Sequence, residues 1–515
     1  MTAVPAYPQA NPPRELTVGM GSYEMELNPY KSIYAHEMQI FTGIYEGLFA
    51  YDALSLDPVR AQAESFEKSK DGKTWTFRIR QDARWSDGTS VTAGDYVQSW
   101  LYLLSPATKA EYAVFFDIIR GAKAFRTGKN RKPDSVGISA PDDRTLVVEL
   151  DTPAAYFTRL LCHSSFVPVH ASLRGVRTWK PEAIVGNGAY TIESMDKESL
   201  VLRRSGTYWD AANVAVPTIR IMFMEDDKKA TQLFNDGEID WLTDMVDLDT
   251  LVDTDSIQSA PMFATGYYFW NASRKPWKDA RVRRALALLV PWDQIRTGDR
   301  YYAPTSVLVL PFSGYESPMG IDARNEKEAL ELLSKAGYPE GRGLPTVRFV
   351  AYKSETNEAN LKIIREAWQR IGVTVESVEV PDGASARDIR QQGYTISFTS
   401  WIGDFADPAA FLLMWTSDSG LNEGGYKSLE YDKLVARSMT EDGRTRLATL
   451  AEAESKLLGD APLLPLYHSV SFNVLDPAAL VGWFQNPLDV HPFKAISFGT
   501  PKARPFVASA ASQHP

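Results

Sequence analysis

Residues 390–408 read RQQGYTISFTSWIGDFADP. The stretch opens on a basic residue, Arg390, turns at Gly393, and continues through an apolar, β-prone run from Tyr394 to Trp401. It closes on Gly403, the carboxylates Asp404 and Asp407, and Pro408. A carboxylate just past a buried strand end is placed to receive a ligand cation, because open α/β sheets bind ligands outside the carboxyl ends of their strands. Asp404 and Asp407 equally suit the N-terminus of the following helical segment, PAAFLLMW, since Asp is a favoured cap. The local pattern leaves both roles open.

The bounds come from the whole chain. Its 515 residues exceed a single core and predict about two to four domains. Apolar residues make up 44% and charged residues 23%, an ordinary balance for a soluble globular protein. A net charge of −10 disfavours nucleic acid and anionic membrane surfaces as direct partners. No run approaches the roughly 18 apolar residues of a membrane span. The single cysteine, Cys162, rules out an intrachain disulfide, and LLCHSS reads as a small buried side chain rather than a thiol nucleophile beside His163. Residues 1–15, rich in Pro and Ala, predict a flexible tether left where a signal was removed.

Strands are predicted at 16–20 (LTVGM), 75–80 (WTFRIR) and 143–151 (DRTLVVELD), with a capping box at Thr92 and Asp95 opening a helix. Residues 47–176 hang together as a β-rich unit. A mixed pattern follows: LVLRRS, TIRIMFME, TVRFVAY and VTVESVEV as strands, ARVRRALALLV, EKEALELLSKAG and NLKIIREAWQRIG as amphipathic helices. Gly337 and Gly372 stand where the last two helices should stop. Strand–helix–strand alternation implies an α/β fold with mostly parallel pairing. GNGAY at 186–190 is either a tight strand start or a hinge. The six histidines make no metal-ligand spacing, and no phosphate loop, dinucleotide motif or nucleophile elbow occurs, so no catalytic residue, metal or cofactor is predicted.

Taken in order, several segments resemble the family 5 extracellular solute-binding proteins, the peptide-binding receptors of ABC importers. They are IYEGLF (44–49), DGKTWTFRIRQDARWSDGTSVTAGDYVQSW (71–100), GISAPDDRTLVVEL (137–150), GNGAY, YWD (208–210) and GEIDW (237–241). DARVRRALAL (279–288), LLSKAGYPEGRGLP (332–345) and the W-x-x-D of 401–404 complete the set. The resemblance implies a bilobal, three-domain fold of the periplasmic-binding-protein type (type II, with an extra β-rich domain). Residues 16–46, 177–263 and 491–515 would form domain I, 47–176 domain II, and 264–490 domain III.

The resemblance also implies a non-catalytic receptor outside the cytoplasmic membrane, acting as a monomer. It would be soluble or lipid-anchored, and would deliver short peptides to an ABC permease. Asp404 would anchor the peptide α-ammonium, with Trp401 and Gly403 completing the motif. Tyr112 and Tyr267 match pocket tyrosines, although each also suits plain aromatic packing. Arg390 matches an arginine near the peptide's far end. A second arginine of the relatives is replaced near Phe398 and Thr399, their histidine is missing near Thr356 and Asn357, and their pocket cysteines fall near Ala264 and Ile402. Asp244 would stand near the cleft as an extra acid favouring basic side chains, or as a solvated loop residue. Other ligands taken within the family, such as a nickel chelate, haem or an oligosaccharide, and a chaperone-like or adhesive role, are the competing readings.

Overall fold

The computed structural model describes residues 14–32, 34–298, 301–311, 314–380, 390, 393–403, 405–419 and 421–500. Asp404 and most of the expected tether lie outside the described residues. The chain divides into two units: residues 1–152, 158–259 and 472–515, and residues 153–157 and 260–471. It passes from the first to the second at 259–260 and back at 471–472, inside two long strands, Ile257–Trp270 and Leu463–Leu475.

In the first unit Leu16–Gly21 is the central strand, buried along nearly its whole length. It pairs in parallel with Thr218–Met224 on one edge and Trp241–Leu242 on the other. The helix Asp227–Asn235 connects those two neighbours; Asp226 caps it by accepting the Lys229 N–H at 3.0 Å. Ala230 and Phe234 on its inner face pack with Met224, Ile239 and Leu242. Ser199–Arg204 and Tyr190–Met195 extend the sheet as an antiparallel hairpin.

Residues 63–149 of this unit add a separate antiparallel sheet, ordered Ala63–Lys68, Thr74–Ile79, Thr145–Glu149, Ile138–Asp142. Its period-two alternation buries Trp75, Phe77 and Ile79. The helix Ala93–Leu104 opens with the capping box: the Asp95 N–H donates to Thr92 Oγ1 at 3.2 Å and the Thr92 N–H to Asp95 Oδ2 at 2.9 Å.

The motifs 44–49, 186–190 and 208–210 converge on Glu46. Its buried carboxylate accepts from Tyr208 (2.5 Å), Trp209 Nε1 (2.6 Å), Lys494 Nζ (2.6 Å) and Gln62 Nε2 (2.9 Å). The side chain of Asn187 brackets the Glu46 backbone, accepting its N–H and donating to its carbonyl. A Cβ at Gly186 would stand 2.2 Å from the Ile44 carbonyl oxygen, and one at Gly188 2.3 Å from that of Gly43. These glycines serve close backbone approach at a strand start. They lie wholly inside the first unit, so the hinge reading of GNGAY is corrected.

The second unit is built on Val347–Tyr352, which pairs in parallel with Val375–Val380 and Ile396–Ile402. The helix Glu355–Gln369 links the first two, and its Trp368 Nε1 donates to the Leu286 carbonyl at 2.8 Å in the core of this unit. Gly337 and Gly372, with φ of +90° and +73°, follow the helices they were expected to end. Ile396–Ile402 then pairs antiparallel with Ile257–Trp270. Pairing is therefore mixed in both units rather than mostly parallel. It is parallel where helical crossovers return the chain, and antiparallel at the hairpin and along the long strands.

Candidate ligand-binding site

The strand Ile396–Ile402 is hydrogen-bonded along its whole length to residues 264–270. Among the described residues, its other edge meets Val347–Tyr352 only at Ile396 and Ser397. Among the described residues the backbone from Phe398 to Ile402 thus has no strand partner on this edge, and Ser400 and Ile402 are exposed. Ala264 and Ile402 are cross-strand partners at its end.

Trp401 and Gly403 meet at that strand end. The Trp401 indole donates to the Ala410 carbonyl at 2.9 Å, and the Gly403 N–H to the Phe263 carbonyl at 2.7 Å. A Cβ on Gly403 would lie 2.7 Å from the Phe411 ring, so the small residue is required by packing. Asp407 is buried; its Oδ1 accepts the Ala409 N–H at 2.9 Å, and both oxygens pair with Arg446 at 2.7 Å. Pro408, not Asp407, is the cap of the following helix; Asp407 receives the Ala409 N–H from one position earlier, and its ion pair, spanning 39 residues, had no local signal.

Tyr267 and Arg390 share a neighbourhood. Tyr267 is 2% exposed, packed edge-on against Phe269 and Trp415. Burial, reinforced by Glu423 and opposed by Arg390, raises its hydroxyl pKa well above the ordinary range. The Arg390 guanidinium is ion-paired with Glu423 and sits 5.3 Å from the Phe269 ring centroid. Glu423 is a neighbour that sequence reasoning missed.

Tyr112 and Asp244 belong to the first unit. The exposed Asp244 accepts from the Gly21 N–H and Thr243 Oγ1 at 3.0 Å each, and from the Tyr23 hydroxyl at 2.5 Å. That bond, with burial, pushes the Tyr23 hydroxyl up to about 12. Tyr23 stacks on His36 at 4.3 Å, a pairing the sequence did not signal. Tyr112 lies on the 3₁₀ helix Glu111–Ile118 against Phe115 and His163. Burial pushes His163 down to about 3, and raises the Cys162 thiol far above its usual range, so neither supports thiolate chemistry. Among the described residues no group of three or more His, Cys, Asp and Glu side chains could hold a metal ion, and no helix is long and apolar enough to cross a membrane.

The sequence model of the bacterial extracellular solute-binding proteins, family 5 (middle region), matches residues 57–423. This chain belongs to that family. The periplasmic oligopeptide-binding protein OppA of Escherichia coli is 32% identical over 499 residues, covering 91% of this chain and 90% of the relative. The dipeptide-binding protein DppE of Bacillus subtilis is 30% identical over 430 residues, covering 80% and 79%. Among solved structures, the unliganded open form of the periplasmic murein tripeptide-binding protein MppA superposes with a TM-score of 0.79 at 28% identity, covering 94% and 97%. OppA of Burkholderia pseudomallei gives 0.72 at 25% identity, covering 95% and 100%. The fold is that of the periplasmic members of family 5.

Proposed function

We propose that this family 5 protein is the extracytoplasmic peptide receptor of an ABC importer. It captures short peptides and hands them to a permease in the cytoplasmic membrane. The observation that carries the reading is the edge of residues 398–402, without a strand partner among the described residues, in the W-x-x-D segment. An extended peptide offers a row of N–H and C=O groups, which an unpaired strand edge accepts whatever the side chains are. Asp404, which follows Gly403 in sequence, takes the α-ammonium. Tyr112 contacts the peptide, and Arg390 receives its carboxylate end. The ligands for which OppA, DppE and MppA are named, all peptides, favour this over a metal chelate, haem or sugar.

Calorimetry with tri- to penta-alanine tests the reading. Wild type binds the free-amine peptides and loses binding when they are N-acetylated. Asp404→Asn weakens the free-amine peptides by roughly 2–5 kcal/mol, the cost of leaving a buried charge unpaired. Equal affinity for acetylated and free peptides would remove the amine anchor. Mass spectrometry that found a co-purified non-peptide ligand, with no peptide binding, would overturn the reading.

A further inference from the structure

His163 lies in the first unit, buried to 8% exposure, at the N-terminus of the short turn Ser164–Phe166. Its Nδ1 accepts the Ser165 N–H at 3.2 Å and lies 2.9 Å from Ser165 Oγ. An Nδ1 that accepts a backbone N–H carries no proton, so the neutral ring is protonated at Nε2 and its plane is fixed by the cap. The ring contacts two aromatic neighbours. Its centroid is 4.6 Å from that of Tyr112, at 65°, and 5.2 Å from that of Phe115, at 82°. Tyr112 and Phe115 are themselves 5.1 Å apart.

The helix that carries them explains the arrangement. Glu111–Ile118 is a 3₁₀ helix, in which side chains three apart eclipse rather than stagger. Tyr112 and Phe115 therefore stand one above the other, and the His163 ring packs edge-on against both. Edge-to-face contact is the favoured geometry for such rings. Phe115 is held by the helix and His163 by its cap, so together they restrict the ring of Tyr112.

We infer that His163 is a positioning residue, a fixed wedge that holds the Tyr112 ring in the orientation that contacts ligand. The inference rests on the peptide-contacting role proposed for Tyr112. His163 itself touches no ligand in this scheme; it acts through Tyr112.

A double-mutant cycle separates the two. Affinity for whichever of tri-, tetra- and penta-alanine binds the wild type most tightly is measured by calorimetry, with circular dichroism to check folding. Y112A weakens binding. H163N, which keeps a cap acceptor but lacks the ring, weakens binding roughly three- to tenfold, the equivalent of one lost aromatic pair. In the Y112A background H163N has no further effect, because the group it positions is gone. H163F, which returns a ring without the cap, restores most of the affinity that H163N loses. It also keeps the test open should H163N fold poorly. If Y112A binds as wild type does, the role of Tyr112 falls. If Y112A weakens binding but H163N is neutral, or costs the same in both backgrounds, the positioning role falls while that of Tyr112 stands. Failure of H163F to restore binding also overturns it.

Discussion

Glu46→Gln is the perturbation with the most calculable outcome. The Glu46 carboxylate accepts four side-chain donors, two on each oxygen: Tyr208 and Lys494 on Oε1, Trp209 and Gln62 on Oε2. A glutamine keeps one acceptor oxygen and turns an NH₂ toward two donors. Two charge-assisted bonds are lost, at about 1.5–3 kcal/mol each, for a total near 3–6 kcal/mol. That agrees with the cost of about 3–5 kcal/mol for breaking a buried ion pair from one side. The first unit should melt on the order of 10 °C lower. The pH dependence gives an independent check. Burial alone would raise the Glu46 pKa, but Lys494, Tyr208 and Trp209 hold it below the ordinary 4.5. A depressed carboxylate contributes its full stability above the unfolded value and loses it as pH falls through the folded one. The gap between wild type and E46Q in urea midpoint or melting temperature should be full at neutral pH and shrink below 4.5. Equal stability at neutral pH, or a gap unchanged on acidification, would refute the reasoning.

Three more outcomes can be checked. Gly266→Ala places a Cβ 2.5 Å from the Tyr467 ring, which is itself packed at 4.1 Å against Tyr302; overpacking of this kind costs about 1–3 kcal/mol, read by chemical denaturation. Glu454 behaves oppositely to Glu46: burial raises it to about 7 despite donors from Tyr315, Val309 and Leu308. Its contribution is full below the ordinary 4.5 and fades as pH rises through about 7, so E454Q should flatten the wild-type decline in melting temperature over that interval. Arg390 is paired with Glu423. If Arg390 receives the ligand's carboxylate, E423Q should tighten binding of a free-carboxylate peptide but not its C-terminal amide, and R390A should abolish the distinction in calorimetry.

Local chemistry was legible where neighbours in sequence are neighbours in space. The Thr92–Asp95 box and the glycines ending two helices depend on residues a few positions apart. The strand Ile257–Trp270 was not foreseen because Pro261 and Gly266 interrupt its pattern. Gly266 is there to admit the Tyr467 ring from about 200 residues away. The partners of Glu46, Asp407 and Arg390 were hidden for the same reason, since Lys494, Arg446 and Glu423 are remote in sequence. Of the candidate site, the resemblance supplied the residue types. The edge at 398–402, without a strand partner among the described residues, emerged from strand registers that no periodicity encodes.

The Glu46 node also sets a timetable for synthesis. Glu46 and Lys494 are 448 residues apart. At roughly 5–20 residues per second the lysine follows the glutamate from the ribosome by about 20–90 s. Until then the carboxylate lacks its Lys494 partner, and the sheet of the first unit lacks the antiparallel partner supplied by Val474 and Leu475. Almost all of the second unit, residues 260–471, emerges as one uninterrupted stretch and can complete its core earlier. The half of the molecule that begins first therefore finishes last, and a nascent chain stopped short of Lys494 holds an acid without its lysine where the mature protein has a closed junction.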